Sequence, residues 1–247
     1  MRIALLADIH SNLEALAACL RHAQAAGAER FAFLGDLVGY GADPEAVLDI
    51  VMERASRGAR VVLGNHDQAV AGHSTRNMNP AAERAVEWTR RQLRGDQAAF
   101  LAALPLTARE GDCFYVHASA DAPQRWTYVS DSLRAAHSMD GARSPYTFGG
   151  HVHEQRLYFQ GADRRPQPFQ PTPGSAIPVP RHRRWLAIVG SCGQPRDGDT
   201  AACYAMLDAA EGELVFHRVP YDHARAAHKI RRAGLPERLA SRLEHGR

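Results

Sequence analysis

The chain has 247 residues, 45% of them hydrophobic, with 30 Lys and Arg against 27 Asp and Glu and a formal net charge of +3. That is enough apolar residue for a sizeable core in one α/β domain over 1–247, and too little charge to argue for a nucleic-acid or membrane partner. No stretch is apolar enough to span a bilayer, the strand-like opening MRIALLAD predicts no secretory signal, and Cys19, Cys113, Cys192 and Cys203 show no CxxC spacing, so reduced thiols and a cytoplasmic location are expected.

Residues 2–7 read as a buried strand, after which Ser11 or Asn12 caps a helix with Leu13, Leu16, Ala17 and Leu20 on one face. The unit repeats as a strand at 30–34, Asp43 as N-cap, Pro44 at the first helical position, Val47, Leu48 and Val51 on the apolar face, then a strand at 60–63. Parallel pairing with helices on the sheet faces follows. Residues 80–94 and 96–104 read as two helices, amphipathic around Val86, Leu93, Phe100, Leu101 and Leu104, before a strand at 113–116. After 147–150 come shorter strands at 156–159, 185–189, 202–207 and 214–218, with Glu211-Gly212 as a hairpin turn, and they predict a largely antiparallel second sheet. The stretch 161–184 carries six prolines and reads as an exposed hairpin or loop without chemistry. From His223 the chain is helical and basic, divided at Pro236, with a solvated face and its other side packed back on the domain.

Five clusters of metal-seeking residues punctuate this pattern: Asp8 and His10 in ADIHSN, Asp36 in LGDLVGYG, Asn65 and His66 in LGNHD, His117 in YVHAS, and His151 and His153 in GGHVHE. Side chains that leave the ends of buried strands converge on one crevice. Asp8 and His10 can both face it, Asp36 has two oxygens and can bridge two ions, Asn65 offers an amide oxygen, and His117, His151 and His153 offer nitrogens. Mixed oxygen and nitrogen ligation suits two divalent transition ions, Mn first, with Fe, Zn or Ni also fitting, better than Ca or Mg. GD or DIH alone is more often a turn or a strand end. Unpaired buried His and Asp are costly, however, and five such clusters are hard to explain without a shared ligand. Four positive charges against two carboxylates leave the site cationic and attractive to an anion. Two ions about 4 Å apart can hold both a phosphoryl oxygen and an attacking hydroxide that bridges them.

Taken in order, DxH, GDxV, GNHD, a single VH and GHxH resemble the calcineurin-like metallophosphoesterase superfamily over nearly the whole chain. GSCGQPRDGDTAACYAMLD is similar to the bacterial YfcE-like, diadenosine tetraphosphatase-related branch. The resemblance implies an α/β fold, a four-layer αββα sandwich of two mixed sheets. It also implies that Asp8, His10, Asp36 and His153 hold one ion, and Asp36, Asn65, His117 and His151 the other. It puts His66 beside the phosphate, to protonate the leaving oxygen or steady its charge, with Asp67 orienting that ring as carboxylates commonly do. Gly39-Tyr40 stands where phosphoprotein phosphatases carry Asp-Arg, which weakens a protein phosphatase reading.

Tyr40, Trp126 and Tyr128 are candidates for stacking on a nucleobase, with packing as the plainer role. Arg196, in GQPRDG, either contacts phosphate or pairs with Asp197 or Asp199. The expected function is a binuclear metal-dependent phosphodiesterase acting on a small phosphate ester, such as a nucleotide or dinucleoside polyphosphate. A phosphomonoesterase on the same metals and a non-catalytic scaffold are the alternatives.

Overall fold

Residues 1–75, 78–161 and 165–247 are described by the computed structural model. β1 (Arg2–Leu6) leads to α1 (Leu13–Ala25), whose cap is Asn12: its side-chain oxygen accepts the Ala15 N–H at 3.1 Å. β2 (Arg30–Phe33), α2 (Pro44–Ser56) and β3 (Arg60–Val61) follow, and β1, β2 and β3 pair in parallel. Asp43 precedes α2 as expected, but its carboxylate takes the Lys229 ammonium at 2.9 and 3.0 Å instead of capping the helix.

Three helices come next, α3 (Asn65–Val70), α4 (Pro80–Gln92) and α5 (Gly95–Ala102), then β4 (Thr107–Glu110), β5 (Cys113–Val116), α6 (Ser132–Ala142) and β6 (Tyr146–Gly149). The strands β7 (Gln155–Gln160), β8 (Pro166–Phe169), β9 (Ala176–Pro178), β10 (Arg184–Val189), β11 (Ala202–Asp208) and β12 (Glu213–Val219) complete the sheets. The chain ends in α7 (His223–Arg232) and α8 (Glu237–His245).

Two six-stranded sheets result, in the orders β3-β2-β1-β11-β12-β9 and β4-β5-β6-β10-β7-β8. The later strands therefore divide between the sheets and do not form one antiparallel unit. β11 lies antiparallel beside β1, with Arg2 opposite Asp208, while β10 lies parallel beside β6. The reason is burial on both faces: Ala205 and Leu207 point between the sheets, whereas Ala202, Tyr204 and Met206 point under the helices, so β11 belongs at the centre of the first sheet. The stretch 161–184 supplies an edge strand to each sheet, β8 beside β7 and β9 beside β12, with residues 162–164 outside the described residues. Pro166, Pro168 and Pro178 sit on these edges, where a missing N–H costs least.

Alternation along β1 shows the layers. Ile3 and Leu5 join Tyr115, Phe148, Ala187 and Phe216 between the sheets, and Ala4 and Leu6 join Leu16, Leu20, Val47 and Val51 under α1 and α2. On the far side α6 covers the second sheet through Ala135 and Met139 against Tyr158, Leu186 and Ile188. This is the αββα sandwich of two mixed sheets. The tail packs back through Ala226, Ala227, Ile230, Leu239 and Leu243 onto Ala82, Ala85 and Tyr40. All four cysteines are free and buried, and among the described residues no helix is long and apolar enough to cross a membrane.

Candidate metal centre

The carboxyl ends of the parallel strands in both sheets meet at one edge, and the chain bends sharply as it leaves each of them. Asp8 follows β1, Asp36 follows β2, Asn65 opens α3 just past β3, His117 follows β5, and His151 and His153 follow β6. Four of these residues, and His10 beside them, have left-handed backbone: Asp8 (φ 52°), His10 (49°), Asp36 (52°), His151 (68°) and His153 (66°). Such conformations are unfavourable for non-glycine residues and persist only where the surroundings hold them. The loop after β10 holds the first of these corners: Cys192 N–H and Gly193 N–H bond to the carbonyls of Ala7 and Asp8, and Ser191 Oγ bonds to the Asp8 carbonyl at 2.8 Å. Gly64 has no alternative, because a side chain there would collide with the backbone N and Oδ1 of Asp36.

Three imidazoles are fixed the same way. His117 Nδ1 donates to Leu34 O at 2.8 Å, His153 Nδ1 to Gln194 O at 2.6 Å and His10 Nδ1 to Val38 O at 3.3 Å, which aims each Nε2 into the centre. Each carboxylate splits its oxygens likewise. Asp8 Oδ2 accepts the His151 N–H at 2.9 Å and Asp36 Oδ1 the His66 N–H at 2.8 Å. The inward oxygens then face only nitrogens: Asp8 Oδ1 lies 3.4 Å from His153 Nε2, and Asp36 Oδ2 lies 3.4 Å from His117 Nε2 and 3.7 Å from His10 Nε2. His10 Nε2 is 3.2 Å from His153 Nε2, and His117 Nε2 is 3.1 Å from His151 Nδ1 and 3.3 Å from Asn65 Oδ1.

This is a centre of acceptors. With their ring protons committed to carbonyls, His10 and His153 turn lone pairs toward each other, and the buried Asp8 Oδ1 has no hydrogen-bond partner. Buried groups of this kind are accounted for by a cation between them. The donor atoms fall into three overlapping triads, each within 4.8 Å: Asp8, His10 and His153; His10, Asp36 and His66; Asp36, His117 and His151. Nitrogen and oxygen donors in such sets fit first-row divalent ions.

The electrostatics agree. Burial pulls the His117 pKa down, but Asp36, which also bonds it, and Asp8 outweigh that and raise it to about 9, so a proton is drawn to the place a cation would take. Burial pushes the Asp8 pKa up, yet His153 and His117 bring it down to about 2; Asp36 is held well below its ordinary value against burial by His117 and His66. Burial pushes His151 down to about 3, His66 down to about 4 and His10 well below its ordinary value, so these rings are neutral at pH 7.

His66 lies against this cluster, nearly buried, with Nδ1 unbonded. Gly39, at φ +89°, makes the room, since a Cβ there would stand 2.7 Å from that nitrogen. Asp67 corrects an expectation. Its carboxylate does not orient the His66 ring; Oδ1 accepts the N–H groups of Leu37 and Val38 at 2.9 and 3.1 Å, and Oδ2 that of Gly64 at 3.0 Å. It is a strut joining the GD turn to the start of α3. Burial and the nearby Asp36 raise its pKa to about 7 against the pull of those N–H groups. Asp67→Ala is expected to lower unfolding stability by about 2 kcal/mol, because three buried donors lose their acceptor while one charge repulsion is relieved. A denaturation midpoint unchanged from wild type would remove the strut role.

Tyr40 is another correction. Only 5% exposed, its ring sits 4.4 Å from that of His66 and 4.6 Å from that of His10, so it is a buried wall behind the imidazoles and cannot stack openly on a base. Arg196 pairs with neither Asp197 nor Asp199; Asp197 takes Arg218, and Arg196 bonds Gln194 Oε1 at 2.9 Å with its guanidinium 5.8 Å from the Tyr40 ring. Tyr128 is 47% exposed and stacks on the His151 ring at 3.9 Å, while Trp126 donates Nε1–H to Gln68 at 3.1 Å. Both line an open cavity of about 410 Å³ with Asn65, Gln68, Gln124 and His151. The sequence reading missed Gln194, whose carbonyl fixes His153, and its only signal was its place in the GSCGQPRDG loop.

Fold and cluster together define an α/β chain with a candidate site for divalent cations at its strand ends. Residues 1–212 match the calcineurin-like phosphoesterase superfamily domain, and the chain belongs to that superfamily of phosphoesterases. It is 31% identical over 255 residues, 99% of this chain and 98% of the relative, to an uncharacterized protein of Methanocaldococcus jannaschii. It is similar to the crystal structure of a metallophosphoesterase from Sphaerobacter thermophilus, with a TM-score of 0.88 and 36% identity over 100% of this chain and 99% of that one. A hypothetical protein from Pyrococcus horikoshii shares the fold, with a TM-score of 0.77 and 19% identity over 100% and 98% of the two chains.

Proposed function

We propose that residues 1–247 act as one domain, a cytoplasmic binuclear phosphodiesterase for small phosphate esters such as nucleotides or dinucleoside polyphosphates. Asp8, His10, Asp36 and His153 hold one divalent ion, and Asp36, Asn65, His117 and His151 the other, with Mn favoured over Fe, Zn or Ni. The observation that carries this reading is the placement of Asp36 Oδ2, which faces His10 of one donor group and His117 of the other at 3.7 and 3.4 Å. Paired ions in such a site would supply Lewis acidity toward a phosphoryl oxygen and would lower the pKa of a bound water to about 7.

The chain's own groups do the rest. The carbonyls of Leu34, Val38 and Gln194 hold three imidazoles in the tautomer whose Nε2 is free to ligate. His66, a neutral imidazole at pH 7, gives its ring N–H to the leaving oxygen as charge grows there, the charge-steadying alternative of its two expected roles. Tyr128 and Trp126, with the amides of Gln68 and Gln124, offer a wall and hydrogen bonds for a base or aryl group beside His151. Gly39-Tyr40, where a phosphate-clamping Asp-Arg pair would favour monoesters, argues for diesters. With Mn²⁺, bis(p-nitrophenyl) phosphate is expected to be hydrolysed at least about tenfold faster per mole than p-nitrophenyl phosphate, a gap of about 1.4 kcal/mol in barrier. A preference for the monoester would reassign the enzyme as a phosphomonoesterase.

A further inference from the structure

Two arginines near the centre have no anion. Arg196 Nη2, in the loop after β10, and Arg242 Nη1, from α8, donate to the same neutral acceptor, Gln194 Oε1, at 2.9 and 3.3 Å. Neither guanidinium has a carboxylate partner among the described residues, because the acids of that loop turn away: Asp197 pairs with Arg218, and Asp199 lies 4.0 Å from the same arginine. Arg196 Nε is buried with no hydrogen-bond partner at all. A buried donor without an acceptor is costly, and two cations sharing one amide oxygen repel. Burial, and next the charge of Arg196, lower the Arg242 pKa from its ordinary value.

Place and shape say what would relieve this. The Arg196 guanidinium lies 5.8 Å from the Tyr40 ring, which also packs on the rings of His66 and His10, so Arg196 stands one aromatic ring away from the metal centre with Arg242 beside it on Gln194. Arg242 also lines an open cavity of about 410 Å³ with Arg238, Ser241, His245 and Arg247. Guanidinium forks match the oxygens of a phosphoryl group in geometry and charge. α8, which carries this arginine, lies beyond the residues 1–212 matched by the superfamily domain.

We propose that Arg196 and Arg242 clamp a second phosphoryl group of the substrate, one not attacked, so that the preferred substrates carry a phosphoanhydride chain or two linked phosphates. The connection to catalysis rests on the phosphodiesterase reading above; the anion binding does not.

The test is equilibrium dialysis of the Mn²⁺-loaded full chain against methylenediphosphonate, whose P–C–P link cannot be hydrolysed, and against methylphosphonate, which has one phosphoryl group. Wild type is expected to bind the two-group probe more tightly. Arg196→Gln and Arg242→Gln should each weaken that binding about tenfold, the scale of one charge-assisted hydrogen bond, and weaken methylphosphonate binding less than twofold. Arg242→Lys, which keeps charge and bulk, should recover part of the loss and separates the clamp from a folding defect. Equal loss for both probes, or loss for neither, overturns the clamp even if esters are hydrolysed. Selective loss in a chain that hydrolyses no ester would uphold the clamp and overturn the phosphodiesterase reading alone.

Discussion

Asp36→Asn is expected to strip bound metal from the protein and to lower phosphodiester turnover about a thousandfold. The substitution keeps an oxygen for the His66 N–H, which Oδ1 accepts at 2.8 Å, so the turn into α3 retains its tie. What changes is the inward atom. An amide nitrogen in place of Oδ2 brings two hydrogens and no charge to the point that faces His10 and His117, where both ions would need a shared anion. Losing even an outer partner of a metal ligand commonly costs 10–100-fold, and a carboxylate shared by two ions should cost more. Elemental analysis and turnover of bis(p-nitrophenyl) phosphate read the two effects together. A variant that kept both metal and turnover would end the binuclear reading.

His66→Asn should behave differently, with turnover down about a hundredfold and metal content unchanged. A donor that steadies charge on a leaving oxygen contributes on the order of 10²–10³ in rate without holding the ions. The contrast has force because the His66 ring lies within 4.8 Å of His10 and Asp36 donor atoms and is thus geometrically able to ligate. Its backbone N–H, not its ring, bonds Asp36, and its Nδ1 is free. Loss of metal in this variant would move His66 from the chemistry into the ligand set.

Most of the centre was legible in the chain because its donors sit in short motifs at strand ends, where local pattern and position coincide. Asp8 and His10 after a buried run, Asn65 and His66 after another, and His151 with His153 after a third needed only the parallel β-α repeat to bring them together. Asp67 was misread because two of its three partners, the N–H groups of Leu37 and Val38, lie some thirty residues away and leave no local trace. The same limit applies to β11: its apolar run reports burial on both faces but not which strand it lies beside, and β1 was its neighbour. Helix α6 escaped notice in SLRAAHSMDGA, although Asp131, whose side chain caps Arg134 N–H, was a readable start signal. Arg242 could not be joined to Arg196 from sequence, since the two meet across the Gln194 side chain.

The left-handed corners at Asp8, His10, Asp36, His151 and His153 set the direction in which each side chain leaves the backbone. Donors whose directions are fixed by the main chain and by partners on their outer atoms have few rotamers to choose among, so the entropy lost in gripping an ion at this edge would be small.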